Sequence, residues 1–235
     1  MRLIYSLFVL SFFVFCTGCT QETGSLSDQW NEKGNKLIEQ ERYQEAFDAY
    51  NTALEYDPNS AITYMYRGTA QQYLGKTTEA MQDFDNATTL DPNERRAWTA
   101  KALLYIEFEN YTQAERAATR AIEVTQTSSN KAFADAYLVR GFVQNRLEKY
   151  ESALRDFDMA ITFEPERKDL WEHKAYSLTN LGRLQEALQC YDYLLQLYPK
   201  DPHIWNDKGG VHMALGQTNE ANRAYATAKS IMLNS

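Results

Sequence analysis

One spacing constrains this chain more than anything else in it. The small residues Gly34, Gly68, Ala102, Gly141, Ala175 and Gly209 stand 34, 34, 39, 34 and 34 positions apart. Four residues before each is an aromatic: Trp30, Tyr64, Trp98, Tyr137, Trp171 and Trp205. Twelve residues after each is an alanine: Ala46, Ala80, Ala114, Ala153, Ala187 and Ala221. Four further on come Tyr50, Phe84, Ala118, Phe157, Tyr191 and Tyr225, where Ala118 alone departs from the aromatic rule. Three beyond those lie Ala53, Ala87, Ala121, Ala160, Leu194 and Ala228, and Pro58, Pro92, Pro165 and Pro199 close four units at one phase. A period of this length belongs to a chain built from stacked supersecondary units.

Within each unit the apolar positions fall on one face of two successive helices. Positions four, eight and eleven share a face of the first helix, and positions twenty, twenty-four and twenty-seven a face of the second. Gly or Ala at the crossing lets two backbones approach, and the aromatics fill the space beside it. Asp57-Pro58-Asn59 and Asp91-Pro92-Asn93 stop the second helix, because proline cannot continue it. Gly75, Gly182 and Gly216 fall where the chain leaves the first helix and suit a left-handed residue. Asp201-Pro202 reads as an N-cap followed by proline at the first helical position.

This pattern resembles the tetratricopeptide repeat, and the resemblance covers residues 27–235. It implies an all-α fold, a right-handed α-solenoid of six helix pairs. The units are 27–60, 61–94, 95–128, 134–167, 168–201 and 202–235, with an insertion at 129–133. One unit cannot bury its apolar face alone, so twelve helices stack into a single array with a concave surface. The polar segment Thr125 to Lys131 reads either as a longer loop between units or as a bend that divides the array into halves.

The first 18 residues read as a secretory signal. Arg2 precedes an apolar run from Leu3 to Phe15 that as helix reaches about 20 Å, short of the roughly 30 Å of bilayer hydrocarbon. Cys16-Thr17-Gly18-Cys19 resembles the lipobox of prokaryotic lipoproteins, with Cys16 where that family usually has leucine. The resemblance implies lipidation at Cys19, a tether at 19–26, and anchoring on the extracytoplasmic side of a prokaryotic cell envelope. A plain cleaved signal, giving a secreted protein, or an uncleaved short anchor is the alternative.

Composition excludes several classes. With 24 basic and 32 acidic residues the net charge is −8, which argues against nucleic acid and against a basic grip on anionic lipid. Three histidines and three cysteines offer no metal-site spacing, and no nucleophile–base set or phosphate loop appears, so neither an enzyme nor a cofactor is expected. Lys33, Arg67, Lys101, Arg140, Lys174 and Lys208 recur just before each small residue. They form either a basic ladder for an acidic partner or a set of packed stems paired with carboxylates such as Asp85, Asp158 and Asp192.

In the family that the repeats resemble, partners contact first-helix positions on the concave face. Carried onto this chain, those positions give a groove of Met65, Tyr66, Leu103, Ile106, Leu138, Val139, Phe142, His173 and Tyr176, apolar in the middle and polar towards Asn31, Asn35, Asn180, Asn206 and Asp207 at its ends. Packing of those apolar residues between neighbouring first helices is the competing reading. The lysine, asparagine and arginine clamp of chaperone-tail binders is not matched, with Tyr66 and Ala100 at two of its positions. The expected function is a membrane-tethered scaffold that binds a partner polypeptide in the groove. The alternative is an envelope-assembly component that self-associates or docks through its last repeat, where Ile231, Met232 and Leu233 stand.

Overall fold

The computed structural model describes residues 25–124 and 130–233. The expected signal, Cys19 and part of the insertion lie outside them. The described residues form twelve α-helices in six pairs. They are α1 (Leu26–Glu39) with α2 (Tyr43–Tyr56), α3 (Ala61–Tyr73) with α4 (Thr77–Leu90), and α5 (Arg95–Glu107) with α6 (Tyr111–Glu123). After the insertion come α7 (Asn130–Arg146) with α8 (Tyr150–Phe163), α9 (Lys168–Asn180) with α10 (Leu184–Leu197), and α11 (Pro202–Ala214) with α12 (Thr218–Leu233).

Each helix packs on its chain neighbours. First helices also touch in succession, α1 on α3 and onward to α9, while successive second helices stand apart. The array therefore curves with its first helices inside, as an all-α solenoid does.

The periodic glycines set the depth of the helix crossings. A Cβ on Gly68 would lie 2.7 Å from Phe84 Cε1, and on Gly141 2.7 Å from Phe157 Cε1. Both rings are fully buried. In the third unit a methyl replaces each member of this pair, and Ala102 and Ala118 are both buried. That is how the one departure from the aromatic rule is accommodated.

The turn inside every unit closes the same way. The backbone N–H three residues past the helix reaches back over a full turn, as in Lys76 to Gln71 at 2.9 Å and Asn110 to Tyr105 at 2.8 Å. Gly75, Gly182 and Gly216 hold the left-handed conformation there, as expected. Glu41, Glu109 and Glu148 hold it in the other three units, at φ of 59°, 54° and 57°. Asp201 caps α11, accepting from the His203 N–H at 2.9 Å, and Pro202 occupies the first turn.

The irregular third junction is closed by helix. Asn130 and Lys131, expected in the polar segment, are the first residues of a longer α7. Arg95, 1% exposed, donates to the Ala121 and Val124 carbonyls at the end of α6, 2.7 Å for the latter. Its guanidinium lies 3.7 Å from the centre of the Phe133 ring, and Phe133 stacks on Phe163 at 5.2 Å. Extending α7 by one turn brings Phe133 over a buried cation.

Candidate partner-binding groove

The recurrent cations are committed to the fold. Each lies over the ring of the aromatic three residues earlier, from 4.1 Å for Lys33 on Trp30 to 5.8 Å for Arg140 on Tyr137. Arginine stands where the unit's own second helix carries a carboxylate one residue before the aromatic. Arg67 makes a two-pronged bond to Asp83 at 2.6 and 2.7 Å, and Arg140 to Asp156 at 2.7 Å twice. Those carboxylates are buried, and their hydrogen bonds hold both guanidinium groups above their usual pKa. Lysine stands where the preceding unit supplies the charge instead: Lys101 to Asp85 at 2.5 Å, Lys174 to Asp158 at 2.7 Å and Lys208 to Asp192 at 2.5 Å. These five cations thus pair within the array, as the packed-stem reading expected.

The apolar stripe divides. Met65 and Val139 do not line the groove. Both are buried, Met65 against Ala87 and Ala97, Val139 against Ala102, Ala117 and Ala118. The reason is that each is packed between helices, Met65 between α4 and α5 and Val139 between α5 and α6. Ile106 and Leu138 are half-buried against the same kind of alanine-lined cluster. Tyr66 is half-buried, stacked on Tyr50 at 5.6 Å and meeting Arg96 at 3.4 Å. Phe142 is half-buried, edge-on to His173 at 5.6 Å. Leu103 and Tyr176 face solvent, 44% and 51% exposed. The asparagines of the first unit serve the fold: buried Asn31 donates to Thr63 Oγ1 at 2.8 Å, and Asn35 accepts from the Tyr50 hydroxyl at 2.8 Å.

A cleft lies further along, between α9 and α11, where successive first helices make their fewest contacts. It is open to solvent and has a volume of about 660 Å³. Tyr176 and Asn180 form one wall, Asn206, Asp207 and Gly210 the other, with Tyr191 and Tyr225 from the second helices as floor. His173 sits at its inner end between Phe142 and Phe157, and burial pushes its pKa below the usual imidazole value against the pull of Asp169. Partial burial raises the Asp207 carboxyl above its usual value, and Asp201 adds to the shift. Sequence reading reached His173, Tyr176, Asn206 and Asp207 but passed over Gly210, which reads like a helix-weakening neighbour of the crossing glycine.

The buried Cys190 thiol is pushed up to about 11 by desolvation, which leaves it protonated and unreactive near neutral pH. No cluster of metal-ligating side chains and no helix long and apolar enough to cross a membrane occurs among the described residues.

The fold is a helix-pair solenoid with its first helices on the inner face. The TPR repeat family model matches residues 34–75, and the tetratricopeptide repeat model matches 67–131, 99–168 and 131–202. The chain belongs to the tetratricopeptide repeat family, whose members serve as protein–protein interaction scaffolds. Its relatives include the DnaJ homolog subfamily C member 7 homolog of Schizosaccharomyces pombe, 30% identical over 148 residues, which are 61% of this chain and 30% of the relative. The Hsp70-Hsp90 organizing protein of Triticum aestivum is 32% identical over 89 residues, 38% of this chain and 15% of that one. The chain therefore spans under a third of these relatives. Among solved structures the fold matches PilW, described as a widely conserved type IV pilus biogenesis factor, with a TM-score of 0.80 at 15% identity over 91% of this chain and 96% of that one. It also matches YrrB, described as a TPR protein with an unusual peptide-binding site, with a TM-score of 0.66 at 20% identity over 78% and 92%.

Proposed function

We propose that this chain is a membrane-tethered scaffold that takes a segment of a partner polypeptide along the inner face of its array, from Leu103 to the cleft between α9 and α11. The observation that carries the reading is that cleft. It lies where successive first helices make their fewest contacts, and exposed Tyr176 lines it. An aromatic beside a concave, partly apolar surface is where binding energy concentrates. The YrrB description, a peptide-binding site on the same fold, supports the same use. A chaperone tail held by a carboxylate clamp is not the occupant assigned, because Asn31 and Asn35 are engaged within the fold.

Tethering rests on Thr17-Gly18-Cys19 following the short apolar run. Two or more acyl chains on Cys19 would hold the array at a membrane stably, which one would not. Mass spectrometry of the mature protein should show a diacylglyceryl group on an N-terminal Cys19, and an intact Met1 would remove the tether. For the groove, immobilised full-length chain should retain members of a decapeptide library, and Leu103→Asp should abolish that retention. Retention unchanged by Leu103→Asp would remove the groove. The second reading, self-association through the last repeat, is favoured by the exposure of Met213 at 48% and Leu233 at 77%. Sedimentation that shows a monomer at ~100 µM, a weak-binding regime, would exclude it.

A further inference from the structure

The position just after the small residue of each unit belongs to the groove, and five units fill it with a side chain: Asn35, Thr69, Leu103, Phe142 and Tyr176. The sixth has Gly210. Packing does not require glycine there, because an added Cβ would meet no heavy atom nearer than the Tyr225 hydroxyl at 4.0 Å. Its neighbour Gly209 is the opposite case, with Tyr225 Cε1 only 2.6 Å from such a Cβ. Glycine inside a helix costs stability relative to alanine, so Gly210 runs against helix propensity. What it leaves open is part of the 660 Å³ cleft that it lines.

We propose that this cleft receives a cationic side chain, lysine or arginine, from the polypeptide segment bound in the groove, an inference that rests on the groove reading above. The lining has the two parts such a side chain needs. Tyr176, Tyr225 and Val211 border the space over Gly210 and offer apolar and aromatic surface to an extended stem, which gains both area and a cation–π contact. Glu172 and Asp207 stand on the two facing helices and supply the charge.

The local balance is negative. Lys168 serves both Asp201, at 2.5 Å, and Glu172, at 3.3 Å, and Asp207 forms no hydrogen bond or ion pair with the described residues. His173, kept neutral near pH 7 by burial, adds no compensating charge. Burial raises the Asp207 carboxyl and Asp201 adds to the rise, together outweighing the pull of His203 and Lys168. An acidic ligand group would meet two carboxylates there, and a small neutral one would leave the space over Gly210 unfilled.

The test uses the full-length chain in detergent, immobilised and exposed to a positional-scanning decapeptide library at about 150 mM salt, where long-range attraction by the acidic surface is screened. Parent chain should enrich lysine or arginine at one position. Gly210→Leu fills the space without changing any charge, and should cut that enrichment about tenfold, the scale of one charge-assisted hydrogen bond. Asp207→Asn should do the same, and it carries the test if Gly210→Leu lowers the thermal midpoint. Basic enrichment that survives in a folded Gly210→Leu, or in Asp207→Asn if that variant carries the test, overturns the proposal. So does parent chain that enriches no basic residue. In either case, loss of retention in Leu103→Asp keeps the groove standing while the cation pocket falls. Retention indifferent to Leu103→Asp removes both.

Discussion

Glycine at position 68 and glycine at position 210 are both interior to a first helix, yet alanine should affect them differently. Helix propensity favours either replacement by about 1 kcal/mol. At Gly210 nothing opposes the gain, since the nearest atom to the new methyl lies at 4.0 Å. At Gly68 the methyl would lie 2.7 and 2.9 Å from the Phe84 ring and 3.2 Å from the Ala80 carbonyl oxygen. Phe84 is fully buried, and a backbone carbonyl in a packed helix does not retreat. Overpacking of this kind costs about 1–3 kcal/mol. Gly210→Ala is therefore expected to stabilise by about 1 kcal/mol, and Gly68→Ala to fall between neutral and about 2 kcal/mol destabilising. Urea unfolding followed by helical circular dichroism measures both, with the slopes compared to check that each array still melts as one unit. Equal midpoint shifts for the two variants would refute the argument that Gly68 sets the helix crossing and Gly210 does not.

Two further outcomes follow from buried charge. His173 has a folded-state pKa below its unfolded value, so the unfolded chain takes up its proton first on acidification. The stability it contributes is complete above about pH 6.5, the unfolded value, and is lost as pH falls towards the depressed folded value. Unfolding midpoints between pH 7 and 5 should therefore fall less steeply in His173→Gln than in the parent, and parallel profiles would contradict the placement. Arg95→Met should cost about 2–4 kcal/mol, because the carbonyls of Ala121 and Val124 lose a buried donor at the third junction. Hydrogen exchange confined to the ends of α6 and α7 would report the loss, and a variant with parent stability would show that the junction closes without Arg95.

The periodic residues made the fold legible because each does one job at one phase. Gly68 needs Phe84, Gly141 needs Phe157, and the spacing between them is fixed by two helices and a turn. What the period did not announce lies in polar pairs within and between units. Arg67 and Arg140 differ from the lysines at their phase because Asp83 and Asp156 lie in their own units, a correspondence visible only once the crossing is known. Trp98, Trp171 and Trp205 donate to the carbonyls of Pro92, Pro165 and Pro199, six residues back, which ties the aromatic to the proline phase. Glu41, Glu109 and Glu148 occupy the left-handed site without the glycine that would have marked it.

The groove was harder to read than the fold. Positions on the inner face are shared between solvent and the next first helix, and sequence does not say how tightly the curve closes. Met65 and Val139 went to packing, while Leu103 and Tyr176 stayed open. Gly210 carried no signal as a binding residue because its contribution is the absence of a side chain beside three facing aromatics.

The central claim is that the inner face holds another polypeptide. Benzoylphenylalanine placed at Tyr176 and at Leu103, both exposed on first helices, should photo-crosslink a discrete polypeptide in native membranes. The same probe at Met159, 42% exposed on second helix α8, should give none. Adducts of equal yield from Met159, or none from Tyr176 and Leu103, would contradict the account.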